Sequence, residues 1–562
     1  MKKQKSFHGA ALLWLGTAAL FAFAILPTLF RPMAVGHDAN YHIMRLLNIA
    51  EEMRMGNPFP SVYSVALDGL GYGSPLFYSD LFFYPFAALT AMGMNASLTF
   101  KLMQIALLAL IFFSMYLCAR AVFGNKMQAH AAALAYAFSY YALSDVYFRT
   151  AVGECFGFAF LPVVYLGYHF ITHGRADRWW ILALGMAGIV LSHVLSVVIA
   201  CMLLIALMIS DAKLWLRRPG LLRYMICAAL LCCGISCGFW LPMLEQMAGL
   251  SFRYSMDVSG VDRFLEGLCD MVTLLFPPEL FPLFNRKPIT AFGLAGAFGW
   301  AALLLCLVCA ARKGLLSRLK NLAVCLFFVW MCSRSSLSRV LAGYLAVLQF
   351  PWRFMLPAAL MFSVFIAQSF GAIASRRVQA VVLVLLLLSG AVASYTVYPS
   401  EMHALLDRLA AEENLSTREF VGQWLTTDHI SGAQYLPIEM DPSDIQEPCS
   451  AVCSDESVHI ELSRNGRNEL HAAFSGNDSG AAVDLPLILY LGYAAETDDG
   501  ERLPVSRGEN GLVRVHLGSM ESGEFTVRFA GTPLLHAGRW VSAASLLFFS
   551  GMMLCRKRRP SR

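Results

Sequence analysis

Charge is scarce in this chain. Only 14% of its 562 residues are Asp, Glu, Lys or Arg, whereas 57% are hydrophobic. A soluble chain of this length carries far more charge, so the composition excludes an ordinary soluble protein and indicates many membrane spans. A small-residue cleavage site after the first apolar run is also lacking. The start MKKQKSF is basic, and the apolar run that follows reaches Phe30. That run is about twenty residues, long enough to cross a bilayer, so it is read as an uncleaved first span. No CxxC pair is joined to a second pair or to a histidine cluster, which argues against a structural metal site. The basic residues form no long stripe. They fall in short clusters between apolar runs, which excludes nucleic acid as the partner and marks cytoplasmic turns.

The formal charge of +5 hides an asymmetry. Of 38 acidic and 43 basic residues, 23 acidic and 9 basic lie in Ser400–Trp540, a net of −14. The remainder holds 15 acidic and 34 basic residues, a net of +19. The fifteen cysteines lie mostly within apolar runs, where they read as small buried hydrophobes. Cys449 and Cys453 are the exception. If their polar surroundings are extracytoplasmic, they are either a short disulfide or two free thiols.

One alternating topology of about twelve spans satisfies every basic cluster, with both termini cytoplasmic. Residues 1–398 read as a multispanning transmembrane domain with a structured outer loop over 31–97. Within that loop YHIMRLLNIAEEMRMG has apolar residues at helical spacing and reads as an amphipathic helix on the membrane face. The run 129–148 is expected as one span and 155–173 as the next. The run 179–211 is too long for one upright helix and is broken by SHVLS, so two short spans meeting outside are expected. Residues 399–540 change character. VHIELSR, NELHAAFSG, LVRVHLG and GEFTVRFAG alternate apolar and polar residues between Gly, Asn and Asp. They predict an extracytoplasmic, mainly β domain, a sandwich in the simplest case. Residues 541–562 are the final span and its basic cytoplasmic tail.

Ionisable residues gather at the outward ends of these spans. They are Asp38, Arg149, Glu154, His193, Glu245 and Arg353. Such groups are costly at membrane depth and are kept where they pair or serve a site. Asp38, in GHDANYH, can cap the helix that follows it or act as a base toward a hydroxyl. His37 and His42 flank it as possible supports. Arg149 and Glu154, in RTAVGE, are an interfacial ion pair or a phosphate-binding arginine with its supporting glutamate. His193 can bond a carbonyl or contact a phosphate or hydroxyl. In LQFPWRF, Arg353 either snorkels from an aromatic belt or grips a phosphate beside Trp352.

In order along the chain, GHDANYH, GLGYGSPLFYSDLFFYP, RTAVGE, SHVLS, FWLPMLEQ and LQFPWRF form a pattern. It resembles the bacterial membrane proteins of the multispanning GT-C glycosyltransferase fold. Within these it is similar to the branch related to 6-pyruvoyl-tetrahydropterin synthase and to the neighbouring YfhO-like proteins. The likeness covers about 31–355 by motifs, and QYLPIEM in the later domain also fits. No soluble pterin-synthase domain and no compact set of three zinc histidines accompanies it.

The resemblance implies a catalytic acid in the first outer loop, here Asp38. It implies a polyprenyl-phosphate sugar donor and an envelope glycan, lipid or protein acceptor at the outer face of the bacterial inner membrane. Some members use a divalent cation, Mg or Mn, for which Asp38 is a candidate ligand. Many pair the loop-one acid with further acids in a later loop. Glu154 is the nearest counterpart here, but it stands without an adjacent acid, which leaves the metal requirement open. Two non-enzyme readings stand beside transfer: a lipid-linked glycan transporter and an envelope-polysaccharide assembly protein. A transporter predicts polar residues at mid-span and an inverted repeat, neither of which is evident.

Overall fold

The structure is a computed structural model. It describes residues 2–30, 38–256, 260–271, 274, 293–311, 314–397, 433–440, 451–465, 469–477 and 480–557. His37, Cys449 and the stretch HALLDRLAAEEN over 403–414, which reads as helical from its sequence, lie outside the described residues.

The protein is a polytopic α-helical membrane protein with a mainly β domain near its C-terminus. Among the described residues, seven helices are long and apolar enough to cross a bilayer. They are Ala96–Phe123, Val152–Thr172, Pro219–Gly249, Leu315–Cys332, Pro351–Gly371, Arg376–Thr396 and Pro533–Arg556. Ala11–Leu26, Val194–Ser210 and Ala297–Cys309 are shorter apolar helices.

Seven falls short of the expected twelve partly because some apolar runs are interrupted. The run 129–148 divides into Lys126–Ala137, Tyr140–Leu143 and a π-helical turn, Ser144–Phe148. Ser139 makes the break: it is extended, and its hydroxyl accepts from Ala142 N at 3.3 Å. A hydroxyl that satisfies a free amide starts a new helix rather than extending the old one. The run 179–211 divides as expected, into Trp180–Val190 and Val194–Ser210, at His193, whose φ of −154° and ψ of 103° leave the helical region.

The described residues form two compact units. One comprises Met1–Ala39, Lys101–Cys232 and Ser259–Asn414. Its best-buried span is Pro351–Gly371, whose helix Met355–Gly371 is apolar nearly all round, as a helix buried among others is. Glycine permits close helix approach in this unit. A Cβ on Gly167 would stand 2.3 Å from Leu182 N, and one on Gly185 would stand 2.7 Å from Val164 N. Small residues permit such backbone contact inside membranes, where dispersion replaces the hydrophobic effect as the packing force.

The second unit comprises Asn40–Phe100, Cys233–Val258 and Leu415–Arg562. Its β domain has two antiparallel sheets. β1 (Val452–Cys453), β4 (Ala482–Ile488), β8 (Leu512–His516) and β7 (Val505–Arg507) form one, in the order β1-β4-β8-β7. The other contains β2 (His459–Asn465), β3 (Glu469–Ser475), β9 (Ser522–Phe529), β5 (Tyr493–Thr497) and β6 (Arg502–Leu503), in the order β2-β3-β9-β5-β6. Leu470, Phe474, Val483, Leu485, Val513, Val515, Phe525 and Val527 bury into one core, as the strand alternation predicts.

Residues of Asn40–Phe100 are built onto this domain. Ile488 N donates to Leu70 O at 2.8 Å, and Phe77 stacks on Tyr435 at 4.8 Å. Gln246 bonds Leu491 through both its amide atoms, at 2.7 and 2.9 Å. The last helix, Pro533–Lys557, packs near Gly238 of Leu222–Gly249, where Ser542 Oγ accepts from Gly238 N at 2.8 Å.

Candidate active site

The π-helical turn Ser144–Phe148 ends the interrupted run, and Arg149 follows it. A π turn widens the helix and is frequent where a side chain must be aimed at a site. Here it presents Asp145 and Arg149 together. Arg149 Nη1 lies 2.5 Å from Asp145 Oδ1 and 2.9 Å from Glu154 Oε2. It also donates to the Tyr141 hydroxyl at 3.3 Å, and that hydroxyl in turn donates to Glu154 Oε1. Arg353 enters from a distant element, the 3₁₀ turn Pro351–Phe354, with Nε 3.4 Å from Glu154 Oε2. Its Nη1 donates to Leu348 O at 2.5 Å and to Gln349 Oε1 at 3.1 Å.

All four charged groups are buried: Asp145 at 0% exposure, Glu154 at 1%, Arg149 at 3% and Arg353 at 6%. Two carboxylates and two guanidinium groups therefore balance in a low-dielectric setting, where an unbalanced charge would cost several kcal/mol, on the order of 3–5. Asp145 Oδ2, Ser144 Oγ and Thr150 Oγ1 are buried without a hydrogen-bond partner among the described residues. Buried polar atoms are normally satisfied, which sets these three apart from most of the core.

Backbone strain sits at the same place. Thr150, next to Arg149, has a φ of +54°, and Gln349, four residues before Arg353, has a φ of +62°. Neither is glycine, and a β-branched residue with positive φ is a genuine outlier. Strain of about 1–3 kcal/mol per residue persists only where the surroundings impose it, and it clusters at functional sites.

Several residues singled out from the sequence converge here. Arg149, Glu154 and Arg353 are in direct contact. His193 is buried, bonds Ser196 Oγ through Nδ1 at 2.8 Å, and lies within electrostatic reach of Arg353, Glu154 and Arg149. The Trp352 ring lies 5.9 Å from the Arg149 guanidinium carbon and stacks on Phe350 at 4.4 Å. Asp38 is half-buried, and its amide donates to Arg149 O at 2.9 Å. It directly precedes the helix Ala39–Arg54, so the capping position and the neighbourhood of Arg149 coincide.

Other candidates have different surroundings. Glu245 belongs to the second unit, where its carboxylate accepts from the Thr532 hydroxyl. His42 is also in that unit, buried against Phe83 at 5.7 Å, with Nδ1 3.3 Å from Arg45 Nη1. Its neighbour Arg45 forms a buried ion pair with Asp80 at 2.7 Å, and the Tyr63 hydroxyl donates to the other Asp80 oxygen at 2.6 Å. Burial pushes the Asp80 carboxyl above the usual carboxylate range, against the opposing pull of Arg45 and Tyr63. Tyr78 and Phe83 face the same guanidinium at 4.3 and 4.2 Å. This second cluster is the polar core of the segment Asn40–Phe100.

Asp145, Tyr141 and the Arg45–Asp80 pair were not among the residues picked from the sequence. Asp145 had a signal, an acid four positions before Arg149 within an apolar run. The partnership of Arg45 with Asp80 had none, because the two are 35 residues apart.

The resemblance raises a divalent cation. Among the described residues no three His, Cys, Asp or Glu side chains converge on a common point. Asp145 Oδ1 and Glu154 Oε2 are each paired with arginine, and Glu154 Oε1 accepts from Tyr141. The donor set does not fit a protein-built metal cage.

Comparison with known proteins gives the chain its family. No curated protein sequence matches it. Among solved structures it is similar to the arabinofuranosyltransferase AftD from mycobacteria, with a TM-score of 0.41 and 16% identity. The match covers 68% of this chain and 27% of AftD, so the chain spans about a quarter of that protein's length. The model of the 6-pyruvoyl-tetrahydropterin synthase related domain, described as a membrane protein, matches residues 76–398. That is more than half of the chain, and it includes Arg149, Glu154, His193 and Arg353: the protein belongs to the 6-pyruvoyl-tetrahydropterin synthase related family of membrane proteins.

Proposed function

We propose that the protein is a GT-C-type glycosyltransferase. It moves a sugar from a polyprenyl-phosphate donor to an envelope glycan, lipid or protein acceptor at the outer face of the cytoplasmic membrane. The observation that carries the reading is the buried Asp145–Arg149–Glu154–Arg353 cluster, with Asp38 tied to Arg149 through its backbone. A structural ion pair needs two charges. This cluster has four, with strained backbone on both arginine-bearing segments and unsatisfied polar atoms at its edge.

The chemistry follows from what each group can do. The leaving group of a lipid-phosphate sugar is already a phosphate, so it needs charge stabilisation more than protonation. Arg353 suits that task. Its Nε and Nη1 are engaged, and among the described residues its Nη2 takes no hydrogen bond. Glu154 holds both guanidinium groups in place, which prepares the field before the donor binds. Asp38, half-buried, accepts the proton of the acceptor hydroxyl as that oxygen attacks the anomeric carbon. Attack from the face opposite the phosphate inverts the anomeric configuration.

Purified protein with a panel of labelled polyprenyl-phosphate sugars tests this reading. Transfer is expected from one of them, with Asp38→Asn inactive at an unchanged melting temperature. Equal transfer by wild type and Asp38→Asn removes Asp38 from the role of base.

A further inference from the structure

Two cysteines far apart in the sequence meet at one point in the first unit. The short helix Gly260–Glu266 leads through Gly267 and Leu268 to Cys269. The helix Leu315–Cys332 ends at Cys332, after which Ser333 is extended with φ −86° and ψ 162°. Cys269 pairs with Ser333 as a parallel β-bridge. Cys269 N donates to Cys332 O at 3.2 Å, and Arg334 N donates back to Cys269 O at 2.9 Å. Arg334 Nε adds a bond to Leu268 O at 2.9 Å. The Cys269 thiol donates to Gly267 O at 3.5 Å, and the Cys332 thiol lies beside it.

Each part of this geometry favours sulfur chemistry. A disulfide requires close backbones and converging Cβ atoms. An amide–carbonyl bond between the same two residues supplies the first, and the two thiols are near enough to perturb each other's ionisation. The neighbouring Cys332 side chain lowers the Cys269 thiol below its ordinary range. Burial opposes this, and Arg334 reinforces it. Cys269 is then the nucleophile of the pair.

The compartment agrees. Arg312, Lys313, Arg318 and Lys320 cluster at the start of the Leu315–Cys332 helix and mark its cytoplasmic end. Eighteen residues rise about 27 Å, close to the hydrocarbon thickness, so Cys332 lies at the outer end. That face is where disulfides form and persist.

We propose that Cys269 and Cys332 are a disulfide-forming pair, an oxidation site that ties the segment 260–269 to the outer end of the Leu315–Cys332 helix. The oxidant is a thiol–disulfide exchange donor of the envelope. The Cys269 thiolate attacks one donor sulfur and releases the other as a thiolate, giving a mixed disulfide. Cys332 loses its proton and attacks the Cys269 sulfur, which releases the second donor thiolate. The two protons end on the donor. The pair gives up two electrons and two protons, and one donor disulfide becomes two thiols.

The bond acts next to the candidate active site. A Cβ on Gly267 would stand 2.8 Å from Pro351 Cδ and 3.1 Å from the Trp352 ring. The segment that Cys269 anchors is therefore seated on the turn that carries Arg353. Closing the loop of about 60 residues between the cysteines restricts the unfolded chain and holds that seat. The inference rests on the outward orientation and not on glycosyl transfer.

The test reads mass rather than activity. Full-length protein in native membranes is quenched in acid, denatured, alkylated with and without reductant, and digested. The expected result is a peptide containing Cys269 joined to one containing Cys332, two hydrogens lighter than the sum and released by reductant. A pair that is reduced as isolated but joins on treatment with diamide, a small thiol oxidant, also supports the proposal. Full alkylation of both cysteines without reductant, together with no cross-link after diamide, overturns it. So does a bond from either cysteine to Cys449 or Cys453. Cys332→Ser should abolish the linked peptide, and the wild-type map stands even if that variant does not fold.

Discussion

Glu154 and Arg353, 199 positions apart in the chain, meet as a buried ion pair with Arg353 Nε 3.4 Å from Glu154 Oε2. The same oxygen accepts from Arg149 Nη1 at 2.9 Å. One carboxylate thus holds two guanidinium groups that would otherwise repel each other in a dry setting. This makes Glu154 the positioning residue of the cluster.

Removing that carboxylate leaves Asp145 as the one acid of the cluster for two buried guanidinium groups. Glu154→Ala should cost about 3–5 kcal/mol, the usual penalty for breaking a buried pair from one side. Glu154→Gln keeps an acceptor and should cost less. Thermal unfolding in detergent measures both, and a wild-type melting temperature for Glu154→Ala contradicts the role.

Arg353 is expected to act through its planar fork. Lysine keeps the charge but cannot reach Glu154, Leu348 O and Gln349 together with a donor to spare. Arg353→Lys should lower transfer about 100-fold, the scale of losing one charge-stabilising donor. Steady-state rates with a saturating lipid donor decide it, with the melting temperature as control.

Gly73 is required by contact rather than by backbone conformation, since its φ is −82°. A Cβ there would stand 2.6–2.8 Å from the Tyr490 ring. That ring is buried, and its hydroxyl donates to Tyr435 O at 3.0 Å. Gly73→Ala should therefore cost about 1–3 kcal/mol through overpacking. Limited proteolysis of the segment Asn40–Phe100 should accelerate, and unchanged cleavage contradicts the close approach.

The Arg45–Asp80 pair offers a cycle. Asp80→Leu alone strands a fully buried guanidinium and should cost about 3–5 kcal/mol. Arg45→Met with Asp80→Leu removes both charges and should recover part of that loss. Unfolding of the two variants compares them, and a double variant worse than the single one rules out the stranded-charge account.

Much of this was legible from local pattern. Strand alternation in VHIELSR and GEFTVRFAG identified β2 and β9, because inward and outward positions must differ when one face is buried. The break at SHVLS was legible because a histidine and two serines interrupt an apolar run. The division of 129–148 was not. Ser139 acts through one hydroxyl bond to Ala142, and nothing in composition distinguishes it from a serine tolerated mid-span. Cys269 and Cys332 looked like small buried hydrophobes, which is what thiols in apolar runs usually are.

By itself the sequence determined the class of the protein, the ends of most apolar runs, the β character of the late domain and the family likeness. Hydropathy, charge clusters and alternation are local quantities, and they act within a turn or two of chain. The tertiary structure decided which distant groups share one oxygen of Glu154, that residues of Asn40–Phe100 are built onto the β domain, and that two unremarkable cysteines touch. Those relations depend on chain crossings that no local preference encodes. GHDANYH shows both sides: its aspartate could be read as a helix cap from the sequence, but its amide bond to Arg149 O exists only in the folded chain.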